Sequence, residues 1–168
     1  MQRTIARLPE SVHELCLLKV GLQVRRLGAF FFARRIGKAI DRSAKEAKEA
    51  DVGLLASEQF LINPTHFGVL QYWRTFEEME AWTHRPPHAD WWKDAAERQR
   101  TKGDFGIYHE TFLVPRDRIE AIYLNCLPTG IALFGLTGEA VGPDTNSRGR
   151  LRMGPRSGSG PKTGTERP

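Results

Sequence analysis

His109 is the residue of this chain best suited to moving a proton. It lies in the stretch Phe105-Gly106-Ile107-Tyr108-His109-Glu110-Thr111-Phe112-Leu113-Val114. A period of two sets Phe105, Ile107, His109, Thr111 and Leu113 on one side of a strand and Tyr108, Glu110, Phe112 and Val114 on the other. A neutral imidazole in apolar surroundings can take a proton from a bound phenol or enol; it can equally be a core histidine bonded to a carbonyl. Glu110 falls on the far side, so the two form no local pair without a twist or bulge.

Gln71 and Trp73 share a side of another alternating run, with Tyr72 between them. A flat aromatic ligand could stack on Trp73 and be oriented by the Gln71 amide, while packing at a strand–helix junction accounts for Trp73 as well. Gln71 is harder to explain as core, because a buried amide must find partners. His88 follows Pro86-Pro87 and precedes Asp90-Trp91-Trp92, where it either caps a helix or overhangs a pocket mouth. Asn125, at the end of the last strand, can donate to a substrate carbonyl or hold a turn, and Tyr108 is a further donor for a developing oxyanion. His66 and His84 lie near turns and are expected to face solvent.

Several chemistries lack their signature. There is no Gly-rich phosphate loop, no G-x-G-x-x-G after the first strand and no G-x-S-x-G nucleophile elbow. No His, Cys, Asp and Glu cluster has metal-ligand spacing, so no metal is expected. Two cysteines, Cys16 and Cys126, make neither a disulfide scaffold nor a zinc ribbon and are expected as buried apolar groups in a reducing, cytoplasmic setting. No apolar run is long enough to span a bilayer, and Glu10, His13 and Glu14 break the N-terminus before a secretory core develops.

Lys and Arg number 25 against 20 Asp and Glu, a formal charge of +5. After Thr137, Arg148, Arg150, Arg152, Arg156, Lys162 and Arg167 oppose only Glu139, Asp144 and Glu166, so about +3 of the excess belongs to the C-terminal fifth. That distribution gives no specific nucleic-acid partner. Residues 146–168 are rich in Gly, Ser and Pro and are expected to stay disordered, within a flexible basic tail over 137–168.

The elements that must position these side chains follow from changes of period. Residues 16–25 alternate as a strand, with Cys16, Leu18, Val20, Leu22 and Val24 inward. Ala33, Ile36, Ile40, Ala44 and Ala47 then recur every three or four residues in a helix over 29–50, closed by Asp51 and Gly53. Strands over 54–62 and 66–74 flank the turn Asn63-Pro64-Thr65. Thr75-Phe76-Glu77-Glu78 is a capping box, which starts a helix with Phe76, Met79 and Trp82 inward. Pro86-Pro87 breaks it, a second helix over 89–102 carrying Trp92, Ala95, Ala96 and Gln99 at helical spacing ends at Gly103, and strands over 105–114 and 119–126 complete the chain. This order, β-α-β-β-α-β plus one strand, is the ferredoxin-like α+β plan: an antiparallel sheet with helices on one face. A polar leader over 1–14 would precede a domain over 15–136. Apolar residues on both faces of the strands predict a cover for the second face, supplied by a second copy, and hence a homodimer enclosing a cavity.

The stretches Gln71-Tyr72-Trp73-Arg74-Thr75-Phe76-Glu77-Glu78, Gly106-Ile107-Tyr108-His109-Glu110-Thr111-Phe112 and Glu120-Ala121-Ile122-Tyr123-Leu124-Asn125, with His88 and Trp92, resemble a family of small monooxygenase-like proteins. That family belongs to the dimeric α/β-barrel superfamily of the antibiotic-biosynthesis monooxygenases, and the likeness covers about residues 18–135. It implies a small hydrophobic or aromatic substrate, oxidised without a cofactor: His109 as base, Gln71, Asn125 and Tyr108 as oxyanion donors, Trp73 as a dry wall and His88 near the substrate. The superfamily also contains haem-binding dehydratases and ligand-binding modules, so a haem enzyme and a non-catalytic binding module remain the alternatives.

Overall fold

The computed structural model describes residues 3–152. Strand β1 (Arg3–Arg7) is followed by the long strand β2 (Glu14–Val24), helix α1 (Phe30–Glu49) and the hairpin β3 (Leu54–Asn63) and β4 (His66–Trp73). Helices α2 (Phe76–Thr83) and α3 (His88–Lys102) lead to β5 (Phe105–Pro115). Short strands β6 (Ala121–Leu124) and β7 (Leu136–Glu139) and a single helical turn, α4 (Ser147–Arg150), end the described chain.

Four strands form the main sheet in the order β3-β4-β2-β5, each pair antiparallel. This is the ferredoxin-like arrangement expected from the sequence. β2 sits inside, between β4 and β5, while β5 lies at an edge and pairs with β2 alone. Cys16, Leu18, Val20 and Leu22 face the helices, where they meet Ala44, Ala47 and Met79 at one end and Ala29, Ala33, Ile36, Ala95 and Phe105 at the other. The alanines on α1 let the helix approach the sheet closely. Each fully buried Leu, Ile or Phe contributes roughly 1.5–3 kcal/mol. Asp51 (φ 47°) and Gly53 (φ 100°) turn the chain out of α1 through the left-handed region.

The capping box is half made. The Thr75 hydroxyl accepts the Glu78 amide at 3.1 Å, but the Glu78 carboxylate turns away to grip the Arg74 guanidinium at 2.7–3.1 Å. A charged fork of five donors outcompetes a single backbone amide for that carboxylate. Gly103 (φ 55°) ends α3 as expected.

The largest departure concerns the second face of the sheet. Arg3–Arg7 is no leader but a strand, at the centre of a second antiparallel sheet of order β6-β1-β7. The last strand expected over 119–126 is shorter, Ala121–Leu124, and belongs to this small sheet instead of the main layer. Ala6, Leu8, Val12 and Ile131 pack with Leu15, Ala56 and Tyr72 from the back of the main sheet. The chain thus covers part of its own second face with segments outside the β-α-β-β-α-β unit, where the sequence reading called for a second copy. Part of the expected flexible tail is also built in: Thr137 pairs with Ala6, and Arg150 pairs with Glu120. Residues 153–168 lie outside the described residues.

Candidate active site: a cavity between helices and sheet

A cavity of about 560 Å³ lies between the helix layer and the main sheet, a size typical of small-molecule sites. Pairing register fixes its floor. Gln71 and Thr111 stand on either side of Leu18, and His109 stands beside Val20, all pointing to the helix side. Two strand spacings separate Gln71 from Thr111, about 10 Å. Ile36, Ile40 and Ser43 of α1, Met79 and Trp82 of α2, and Trp91, Trp92 and Ala95 of α3 supply walls that are mostly apolar.

Gln71 is buried, and its Oε1 accepts the Trp73 indole N–H at 3.1 Å. Among the described residues nothing accepts from its amide nitrogen. The indole fixes the amide orientation, so the NH2 is the group left for a cavity occupant. Trp73 itself is 1% exposed and packs in the core with Cys16 and Met79; it does not line the cavity. Its role is to hold Gln71, in place of the stacking wall expected for it.

His88 opens α3, half-buried, with its ring 5.9 Å from that of Trp91. Burial pushes its pKa below the ordinary value, assisted by nearby His84 and opposed by the Thr83 backbone, so the imidazole is neutral near pH 7. His109 also lines the cavity, but on an edge strand it is exposed and its ring stands 6.0 Å from the Trp92 ring. Its apolar setting is thinner than the alternation implied: Phe105 is buried, Ile107 half-buried and Leu113 49% exposed. Trp92, which also lines the cavity, is 44% exposed at the same end.

Two expected donors stand elsewhere. Tyr108 faces the opposite side of the sheet, its hydroxyl 3.0 Å from His66 Nε2. Asn125 is exposed just after β6, at φ 52°, and does not line the cavity. His66 is half-buried against Tyr108, not solvent-facing. Cys126, expected buried, is exposed, while Cys16 is buried and its thiol is pushed up to about 11, chiefly by desolvation and then by Glu14 and Glu77.

His84 is exposed, as the sequence reading expected, and it also lines the cavity, a role that reading did not give it. Its Nδ1 lies 2.8 Å from the Glu80 carbonyl oxygen, which can only accept, so Nδ1 carries the proton and Nε2 is free to accept. The four-residue spacing of His84 and His88 around Pro86-Pro87 was the available signal. Ser43 was a second omission; its hydroxyl accepts from the Trp82 indole at 3.0 Å. No group of three metal-ligating side chains occurs among the described residues.

A family model described as Monooxygenase af470-like matches residues 15–131. No curated protein matches the chain in sequence. Among solved structures, an aldoxime dehydratase superposes with a TM-score of 0.62 at 17% identity, over 83% of this chain and 39% of that one. The aldoxime dehydratase OxdRE in complex with butyraldoxime gives 0.57 at 16% identity, over 82% and 38%. A Bacteroides thetaiotaomicron protein of unknown function gives 0.48 at 16% identity, over 60% and 98%. The chain thus spans well under half the length of the two dehydratases, and at these identities the likeness is one of fold.

Proposed function

The chain belongs to the Monooxygenase af470-like family, and from that premise we propose that it binds a small, mostly apolar molecule in the helix–sheet cavity and oxidises it without a cofactor. The observation that carries this reading is the buried Gln71 amide, pinned at its oxygen by Trp73 and presenting unpaired N–H groups to an apolar cavity that also holds neutral His88. An electron-rich phenol or enol matches these groups. His88 takes the hydroxyl proton, the Gln71 NH2 donates to the oxyanion that forms, and the tryptophans exclude water. The anion passes one electron to dioxygen, and superoxide then joins the substrate radical at carbon. Loss of water leaves a carbonyl on a carbon that bore two hydrogens in the keto form. One oxygen atom enters the product, the other leaves as water, and the substrate supplies every electron. His109, beside Trp92 at the open end, is the second imidazole able to accept the proton.

Self-association remains part of the proposal. Phe112 (49% exposed) and half-buried Phe60 lie on the back of the sheet, beyond the patch that the small sheet covers. A second copy there would remove them from water.

The experiment is oxygen uptake with a panel of phenols and enols by the wild-type chain and by His88→Ala, His109→Ala and Gln71→Leu, each checked for folding. Loss of turnover in His88→Ala with retention in His109→Ala supports the assignment. Uptake unchanged in Gln71→Leu overturns it.

His84 supports a second reading, a haem protein. A cavity-lining imidazole whose Nδ1–H is held by a backbone carbonyl keeps Nε2 free and has the donor chemistry to ligate iron. His84 would hold the iron, and the group when bound would supply redox and Lewis-acid chemistry. A Soret band on haem addition that His84→Ala removes is its signature; purified chain that gains no such band excludes it.

A further inference from the structure

We infer that the end of the molecule where β2 passes into α1 docks on an anionic lipid surface. Leu27 is 90% exposed, Phe31 81% and Phe30 40%, in consecutive turns at the start of α1. Leu27 and Phe31 are four residues apart, and Arg34, Arg35 and Lys38 follow at the same helical spacing, so apolar and cationic side chains form one continuous stripe. The Val24 amide donates to the Thr65 carbonyl at 2.8 Å, which brings the tip of the β3–β4 hairpin to this end. There Leu61 is 70% exposed and Ile62 58%. Five large apolar side chains gathered on one end are more than scattered surface residues.

Charge selects the occupant. Arg25, Arg26, Arg34, Arg35 and Lys38 surround the apolar residues and are exposed. Among the described residues, Arg25, Arg26, Arg34 and Lys38 make no ion pair, and Arg35 pairs with Asp94 at 3.6 Å and lies over the Phe32 ring. Of the other acids nearby, Asp104 is buried and held by Arg98 at 2.6 Å, and Asp41 accepts from the Gln59 amide at 2.7 Å. Cations around exposed Leu, Ile and Phe match headgroup phosphates above acyl chains. A nucleic acid would use the cations and could stack on Phe31, but it would leave the aliphatic Leu27, Leu61 and Ile62 in water, where acyl chains would cover them. A second copy across a two-fold axis would set these unpaired cations against their own equivalents.

The surface is peripheral: no helix among the described residues is long and apolar enough to cross a membrane. Two turns along, the same helix carries Ile36 and Ile40 on the cavity wall, so docking sets that wall close to the lipid.

The test is co-sedimentation of the full chain with vesicles of phosphatidylcholine alone and of phosphatidylcholine with phosphatidylserine, at low and high salt. Binding to the anionic vesicles, weakened by salt, is expected. Leu27→Ser/Phe31→Ser, at two largely exposed side chains, should lose at least about tenfold in partition with melting unchanged. Arg34→Gln/Lys38→Gln should weaken binding by a similar factor and flatten its salt dependence. Absence of binding to phosphatidylserine vesicles overturns the inference, and so does equal binding by Leu27→Ser/Phe31→Ser, which would place the attraction elsewhere in a basic chain. A fall in oligomer mass in that variant would make the patch a protein interface, and competition by a single-stranded oligonucleotide that it abolishes would make it a nucleic-acid site; either result also overturns it.

Discussion

The Trp73 indole N–H donates to Gln71 Oε1 across 3.1 Å, between two residues that share one face of one strand. This bond decides which end of the amide meets the cavity. Trp73→Phe keeps most of the ring packing and removes the donor, so Gln71 can rotate and present oxygen as readily as nitrogen. The variant should lose about 1–2 kcal/mol in denaturant unfolding and bind an oxyanion-bearing ligand several-fold more weakly. Gln71→Leu should cost little stability and lose the same binding.

His88 gives the molecule an acid-side sensitivity. Burial lowers its folded pKa below the ordinary 6.5. Below that value the unfolded chain takes up the proton first, so stability falls as pH drops from 6.5 through the lower folded pKa and is flat above 6.5. His88→Asn should flatten the acid limb of a melting-temperature profile between pH 7 and pH 5, the window in which the unfolded imidazole charges ahead of the folded one. An unchanged limb would show that the imidazole is already solvated.

Glu58 is the latch for the turn that covers the back of the sheet. Its carboxylate accepts from the Gly130 amide at 2.9 Å, from the Thr129 hydroxyl at 2.5 Å and from the Tyr72 hydroxyl at 3.4 Å. Glu58→Ala should destabilise by about 2–3 kcal/mol, measured by urea unfolding. Tyr72 is pushed up to about 12 by burial first and Glu58 second. The native state therefore keeps a proton that the unfolded chain releases between pH 10 and 12, and stability falls with rising pH there. Removing the Glu58 charge should move Tyr72 titration, followed by ultraviolet absorbance, toward lower pH.

Leu8 tests the status of the N-terminal segment. It is 2% exposed and packs beneath the small sheet. Leu8→Ala should cost about 2–5 kcal/mol, a loss visible by thermal melting. A disposable leader would tolerate the change with no measurable effect.

Gly68 tests the close approach of β4 to β2. A Cβ there would meet the Val20 carbonyl oxygen and the Phe60 ring. Gly68→Ala must push β4 away from β2 in the middle of the sheet and should lose more than about 3 kcal/mol, or abolish folding, judged by circular dichroism and solubility. Gly138→Ala, with open space around it, is the matched control.

The main sheet was legible because its signals are local. Alternation over β2 and β5, helical spacing from Ala33 to Ala47, the Thr75 cap and the Gly103 stop each express a steric or hydrogen-bonding preference within a few residues. From these follow the element order, the edge-to-edge plan and the faces that carry Gln71 and His109. The sequence could not say how deep each position lies. His109 and Gln71 share the helix-side face, yet one is on an edge strand and exposed while the other is on an inner strand and buried, a difference set by strand order.

Long-range pairing decided the rest. Arg3–Arg7 is too short and polar to announce a strand, and becomes one because Ala121–Leu124 and Leu136–Glu139 approach it from more than a hundred residues away. His84 and His88 converge on the cavity because a helix break folds α3 against α2. Local periodicity fixes which side of an element a residue occupies. What stands opposite, and so whether an imidazole is neutral or an amide finds its partner, depends on contacts that only the folded chain makes.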